Sequence, residues 1–244
     1  MRELSLFTGG MGGVLGTYGL LGWRPIGYVE IDDYCQRLIA QRIKDGIIPE
    51  APVFGDIRTF ISEGYASSYQ GMVDVITGGD PCQANSNANR FSKKIAQSLG
   101  AEFIQVIRIV RPTFVIRENP ARVKDDAPYP SDRFAEELES LGYSSSIVEI
   151  RACCMGADHE RARLFVLAKV QDSDSKAMER DVSKIVEGAD SWRYYTDIAG
   201  PDWWSATPRV CRKSDGVAHK VDRLKAIGNG QVPRVVAAAG RLLS

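Results

Sequence analysis

Glu3-Leu4-Ser5-Leu6-Phe7-Thr8-Gly9-Gly10-Met11-Gly12-Gly13 is the stretch on which the fold turns. A short, partly apolar run halts at glycines, which reads as a strand entering a tight turn. Gly12 to Leu21 continues as an apolar, glycine-rich helix opened by that turn, and Ile26-Gly27-Tyr28-Val29-Glu30 as a second strand. Glycines allow a sharp turn and close approach of backbone to a ligand. Glu30, at the end of the next strand, stands where a carboxylate can accept hydrogen bonds from ribose hydroxyls. The same glycines also serve a plain strand–helix turn; the spacing to Glu30 favours a cofactor site.

Outward from this unit, strand and helix signals keep alternating. Asp33 to Lys44 has helical spacing of Tyr34, Leu38, Ile39 and Ile43. Asp74–Thr77 is a strand ending at Gly78-Gly79, Ala96 to Val110 a helix, Phe114–Ile116 a buried strand and Arg133 to Leu141 a helix. Ser146 to Arg151 and Leu164 to Ala168 read as later strands. Strands separated by helices predict an α/β fold: parallel crossovers and helices on both faces of the sheet. After Lys169 the composition becomes polar, and Trp192, Tyr194, Tyr195, Trp203 and Trp204 follow as an aromatic cluster. Val221 to Leu243 is helical again, around Gly228-Asn229-Gly230. The expected division is a body over 1–169, a small irregular insert over 170–215, and a closing segment over 216–244 that returns to the body.

Composition narrows the class. The 244 residues are 44% hydrophobic and 25% charged, with 31 basic and 31 acidic side chains. These values exclude a disordered, collagen-like or coiled-coil chain. There is no long apolar run and no basic segment followed by an apolar one at the start, so neither a membrane span nor a signal peptide is expected. Five cysteines without CxxC spacing fit reduced thiols in a cytoplasm, not a disulfide framework or a zinc site. The zero net charge is uneven. Asn89–Lys124 holds Arg90, Lys93, Lys94, Arg108, Arg111, Arg117, Arg122 and Lys124 against Glu102 and Glu118. Ser205–Arg241 is similarly basic, with Arg209, Arg212, Lys213 and Arg234 among its cations. Two positive walls of a phosphate-binding cleft are one reading, and ordinary surface patterning the other.

Three further clusters carry chemistry. Thr77-Gly78-Gly79-Asp80-Pro81-Cys82-Gln83 sets a cysteine on a rigid turn at the carboxyl edge of the sheet, where open α/β sheets bind ligands. A thiolate there can act as a nucleophile; a small buried cysteine is the plainer alternative. Arg117-Glu118-Asn119-Pro120, after the strand Phe114–Ile116, puts a carboxyl where it can hold or deliver a proton. His159-Glu160-Arg161-Ala162-Arg163 offers two arginines on one side of an extended segment, for phosphate or carboxylate. Surface ion pairing is the alternative for both.

In this order the pieces resemble the DNA (cytosine-5) methyltransferases, notably the short phage and prophage type. The resemblance rests on Leu6-Phe7-Thr8-Gly9 with Gly12-Gly13, Glu30, Gly55-Asp56-Ile57, Gly79-Asp80-Pro81-Cys82-Gln83, Glu118-Asn119, Arg161-x-Arg163 and Gly228-Asn229-Gly230-Gln231-Val232-Pro233. It covers nearly the whole chain and is weakest over 170–200. It implies a Rossmann-like methyltransferase fold, S-adenosyl-L-methionine as cofactor, double-stranded DNA as partner, no metal, and a monomer in the bacterial cytoplasm, with restriction–modification as a setting. By the same resemblance Cys82 is the nucleophile that adds to cytosine carbon 6. Glu118 holds a proton at ring N3, Arg163 orients Glu118, and Asn119 holds the loop. Phe7, Gly9, Gly12, Glu30, Asp56, Ile57, Pro81, Asn229 and Gly230 form the cofactor pocket. Gln83, Ser86, Arg90, Arg161, Arg209 and Arg212 are the candidate DNA contacts.

Three residues depart from the family pattern. Met11 replaces a glycine, where positive φ is costly and added bulk would lie near the cofactor. Asp80 precedes Pro-Cys where an aromatic is usual, and Pro120 follows Glu-Asn. These motivate one alternative, a catalytically impaired DNA-binding relative; an RNA cytosine methyltransferase of the same fold is another. A dinucleotide-dependent oxidoreductase leaves Pro-Cys-Gln and the closing Gly-Asn without a role.

Overall fold

The computed structural model describes residues 1–81, 99–121, 129–157, 159–171, 226 and 230–243. The strands are β1 (Arg2–Leu6), β2 (Arg24–Val29), β3 (Val53–Phe54), β4 (Val75–Gly78), β5 (Phe114–Pro120), β6 (Tyr143–Arg151) and β7 (Ala162–Val170). They form one sheet in the order β3-β2-β1-β4-β5-β7-β6. The first five pair in parallel; β7 pairs antiparallel with both β5 and β6. The expectation of an α/β fold with a mostly parallel sheet holds, and the last two strands form its antiparallel edge. The chain order reverses between β1 and β4, and the crevice at such a switch point is where open sheets take ligands.

The helices are α1 (Gly12–Leu21), α2 (Asp33–Lys44), α3 (Ile57–Ser62), α4 (Gly100–Val110), α5 (Ser131–Ser140) and α6 (Pro233–Arg241). Alternation along the strands splits the core between the two faces. Ile76, Val115 and Val166 join Phe60, Phe103, Ile107, Phe134 and Leu138 of α3, α4 and α5. Their neighbours Val75, Ile116, Phe165 and Leu167 join Val235, Val236 and Ala239 of α6. α2 begins where the Asp32 side chain accepts from the Tyr34 and Cys35 N–H groups, and Arg42 and Lys44 occupy its last turn, where cations suit the helix dipole. The spacing of apolar residues announces nothing at β3 and α3, because a two-residue strand is shorter than any periodicity.

α6 lies against α1. A Cβ at Gly16 would collide with the Pro233 carbonyl, and a Cβ at Gly240 would meet Leu21 and Trp23. Glycines on both helices therefore set how near their backbones come. The insert expected over 170–215 lies outside the described residues from 172 onward, as does residue 225 and most of the segment leading to Gly230. Among the described residues, no helix is long and apolar enough to cross a membrane.

The basic stretches need correction. Arg117 is 1% exposed and Arg234 8%, so neither belongs to a solvent-facing wall. Arg117 is held by Asp80, and Arg234 donates to the Met155 carbonyl at 3.2 Å.

Met11 has φ 68° and ψ 17° as the residue capping α1, so the strain expected from the sequence is present. Its side chain is buried with Val14, Tyr28, Ile39 and Ile48. The left-handed conformation costs about 1–2 kcal/mol, while losing a buried Met side chain costs about 2–5 kcal/mol. Packing outweighs strain, so Met11→Gly is expected to destabilise by about 1–3 kcal/mol in urea unfolding; a gain in stability would contradict this.

Glu3, in β1, is fully buried and accepts from the Thr17 and Thr77 hydroxyls at 2.5 Å each. Burial pushes its carboxyl up to about 7 from an ordinary 4.5, against the pull of both hydroxyls. The folded state therefore binds this proton more tightly than the unfolded chain. The stability it contributes is complete below about pH 4.5 and is lost as pH rises through about 7. Glu3→Gln should remove this pH dependence and make the variant more stable than wild type at pH 8, by up to about 3 kcal/mol. Thermal unfolding of both proteins between pH 5 and 8 checks the sign.

Candidate active site

The carboxyl ends of β1, β2, β3, β4 and β5 converge on one edge of the sheet, and the residues singled out in the sequence are spread along it. Phe7 leaves β1 with φ 52°, its ring 5.9 Å from that of Phe103. Gly9 N–H donates to Glu30 Oε2 at 2.6 Å, and Asp32 N–H to Glu30 Oε1 at 2.8 Å. Glu30 thus ties the glycine turn to the end of β2. A carboxylate has about four lone-pair sites, so two remain for hydroxyls. Ile31, next in the chain, is 58% exposed, an apolar side chain left at the ligand edge.

At the end of β3, Asp56 caps α3 by accepting from the Arg58 N–H and receives the Arg58 guanidinium on both oxygens, at 3.0 and 2.6 Å. These bonds lower its carboxyl below the usual aspartate range. Ile57 is 2% exposed and belongs to the core. Gly12 and Gly13 face the closing segment: a Cβ on Gly12 would strike the Gln231 carbonyl, and one on Gly13 the Gln231 side-chain oxygen.

Asp80, which the sequence left without a partner, has one in Arg117. Nε donates to Oδ1 at 2.6 Å and one terminal nitrogen to Oδ2 at 2.9 Å, with both side chains no more than 2% exposed. Arg117 also donates to the Tyr129 carbonyl at 2.9 Å, and its guanidinium lies 4.5 Å from the centre of the Phe134 ring. Asn119 donates to Asp80 Oδ1 at 3.3 Å. The turn bearing Pro81 is thereby joined to β5 by a bidentate ion pair and an amide. Arg117, Glu118 and Asn119 are not after the strand, as the sequence reads, but within it: β5 runs on to Pro120 and pairs there with Arg163 of β7.

That antiparallel pairing delivers Arg163 to Glu118, Nε to Oε1 at 2.6 Å. Gln231 Nε2 donates to the other oxygen at 3.4 Å. Burial pushes the Glu118 carboxyl above the usual glutamate range, opposed by Arg163 and Gln231. A carboxyl raised in this way keeps its proton more readily than an exposed glutamate does, which suits proton holding. Arg161, with φ 34°, turns its guanidinium inward and donates to the Gly230 carbonyl at 2.6 Å, an internal contact where the sequence suggests DNA. Cys82, Gln83, Ser86, Arg90, Arg209, Arg212 and Asn229 lie outside the described residues. Sequence reading missed Arg117 as partner of Asp80, and Gln231 as a neighbour of Glu118. The first had a signal: opposite charges at the ends of adjacent strands.

A sequence model of the C-5 cytosine-specific DNA methylase family matches residues 1–203. The chain belongs to this family. It is 30% identical over 175 residues to the type II methyltransferase M.CviJI of Paramecium bursaria Chlorella virus IL3A, covering 70% of this chain and 44% of that one. It is 27% identical over 193 residues to the type II methyltransferase M.DdeI of Desulfomicrobium norvegicum, covering 77% and 45%. The chain thus spans under half the length of these two curated relatives. Among solved structures, the Entamoeba histolytica methyltransferase EhMeth superposes with a TM-score of 0.58 at 14% identity, covering 100% of this chain and 97% of that one. The S. pombe Dnmt2 methyltransferase does so with 0.55 at 16%, covering 77% and 54%. These likenesses establish a shared methyltransferase fold.

Removing one member of a buried ion pair leaves the other charge uncompensated. Asp80→Asn should therefore cost about 3–5 kcal/mol in urea unfolding, and joining Asp80→Leu to Arg117→Met should recover most of it. Asp74→Asn, at the half-exposed pair with Arg2, is the control and should cost under about 1 kcal/mol.

Proposed function

We propose that this chain transfers a methyl group from S-adenosyl-L-methionine to carbon 5 of a cytosine in double-stranded DNA, with Cys82 as covalent nucleophile. The observation that carries the reading is the pairing of buried Glu118 with the partly exposed Arg163 at the carboxyl edge of the sheet, one strand away from the Gly79-Asp80-Pro81 turn that leads to Cys82. Family membership supports it.

Carbon 5 of cytosine is a poor nucleophile while the ring is aromatic. The Cys82 thiolate adds to carbon 6, forming an S–C bond and shifting the electron pair towards carbon 5. Glu118, in its acid form, hydrogen-bonds ring N3 and prevents negative charge from accumulating on the base. Arg163 Nε lies 2.6 Å from Glu118 Oε1 and holds the carboxyl in place. S-adenosyl-L-methionine would supply an electrophilic methyl group on a sulfonium; carbon 5 would bond it with that electron pair as the S–CH3 bond breaks and a neutral thioether leaves. Afterwards a base takes the proton from carbon 5, the S–C6 bond breaks, and the thiolate and the aromatic ring are restored. The cytosine must leave the duplex stack for this, at a cost of a few kcal/mol.

The residues at the edge fit the cofactor. Glu30, with lone pairs to spare, suits the ribose hydroxyls; Phe7 and the exposed Ile31 suit the adenine faces; the Gly9 turn suits the methionine moiety. Asp56, Ile57, Gly12, Pro81, Asn229 and Gly230 remain the other candidates, and Asp56 would have to share its oxygens with Arg58. For DNA, Gln83, Ser86, Arg90, Arg209 and Arg212 remain the candidate contacts, with a monomer acting in the cytoplasm. The departures that favour an impaired relative are each accommodated: Met11 by packing, Asp80 by Arg117, and Pro120 by the end of β5.

Labelled methyl transfer to mixed-sequence duplex DNA tests the reading, with tRNA as a parallel substrate. Wild type should label DNA and not tRNA, and Cys82→Ala should lose activity by about a thousandfold or more. Equal labelling by wild type and Cys82→Ala, or labelling of tRNA alone, would overturn it.

A further inference from the structure

We infer that Gln231 is a positioning residue for Glu118, linking the glycine turn to the catalytic carboxyl. This rests on the role proposed above for Glu118. The Gln231 side chain occupies a slot cleared by three glycines. Its backbone carbonyl fills the place a Cβ would take on Gly12, and its amide oxygen the place of one on Gly13. A Cβ on Gly79 would stand 3.1 Å from its amide nitrogen and 2.8 Å from Glu118 Oε2. The preceding peptide is clamped as well, because Arg161 donates to the Gly230 carbonyl at 2.6 Å. On the other side Pro233 opens α6, whose close packing on α1 fixes the segment.

With its backbone and amide oxygen wedged in this way, Gln231 has one polar group turned to the site, Nε2, which reaches Glu118 Oε2 at 3.4 Å. Arg163 holds Oε1. The two carboxyl oxygens are therefore restrained by different parts of the chain, β7 and the closing segment, and the plane of the carboxyl follows from both. Oε1, 2.6 Å from the Arg163 cation, is the less basic of the two, which assigns Oε2 to take and present a proton. Movement of the glycine turn, as when a ligand enters beside Gly9, reaches Glu118 through the Gln231 side chain.

Gln231→Met keeps the shape and removes the donor. With the full chain and wild-type protein alongside, kcat should fall about three- to tenfold, the scale of one hydrogen bond. KM for S-adenosyl-L-methionine and for DNA should stay within about twofold, since neither is held by Nε2. An amide donor favours the ionised carboxyl, so its loss should move the alkaline limb of the kcat–pH profile, where Glu118 ionises, to higher pH. Carboxyl 13C NMR of Glu118 in both proteins should show the same upward shift without any turnover. Wild-type kcat together with an unmoved Glu118 titration in Gln231→Met would overturn the inference, as would a rise in both KM values with kcat unchanged. Should wild type transfer no methyl group, the proposed function fails, and the NMR titration alone still decides whether Gln231 acts on Glu118.

Discussion

The fold rests on one steric allowance: two stretches of backbone touch because no side chains separate them. Gly12, Gly13 and Gly16 at the start of α1 meet Gln231 and Pro233 at the start of α6, and at each a Cβ would overlap the opposing segment. Gly240 repeats the device farther along, against Leu21 and Trp23. A β-carbon at Gly12 or Gly16 would meet backbone and would have to lever α6 off the sheet face where Val235, Val236 and Ala239 are buried. It would also move Gln231 away from Glu118. One absence of side-chain volume thus serves core packing and site assembly together.

This changes the meaning of the glycine turn. From the sequence, Gly9, Gly12 and Gly13 form one cofactor motif. In the structure they divide. Gly9, with φ 55° and its N–H on Glu30, faces the ligand edge. Gly12 and Gly13 are needed by the protein's own closing segment. A sequence shows that a position is glycine but not which neighbour forbids a side chain, because that neighbour lies more than two hundred residues away. The same limit hides Arg117. Its place in a run of cations suggests surface, while its real environment, Asp80 below the Pro81 turn and the rings of Phe134 and Tyr129, comes from three separate elements.

What was legible was periodic or local. α1 coincides with the apolar stretch expected after the glycine turn, and α2 with the span expected from its apolar spacing. β5 was legible only in its apolar half. Its polar half, Arg117-Glu118-Asn119, is strand too, because each side chain has a buried partner that polarity alone does not reveal. The antiparallel β7 was not legible, since strand direction leaves no mark in a short apolar run. Yet that reversal brings the start of β7, with Arg163, to the end of β5, with Glu118. A parallel β7 would carry Arg163 to the opposite edge of the sheet.

Three buried glutamates show how environment, not residue type, assigns a role. Glu3 is hydrogen-bonded by two neutral hydroxyls, and burial outweighs them and the N-terminal ammonium, so its carboxyl is drawn up to about 7. Glu30 accepts from two backbone N–H groups and serves as a tether for the turn. Glu118 has a cation on one oxygen and an amide near the other, both opposing the same burial. Burial raises the Glu118 carboxyl, and Arg163 and Gln231 hold that rise back. The distances that set this balance are fixed by strand register on one side and by the glycine contact of α1 with the closing segment on the other, so the chemistry of the site follows from the packing of the fold.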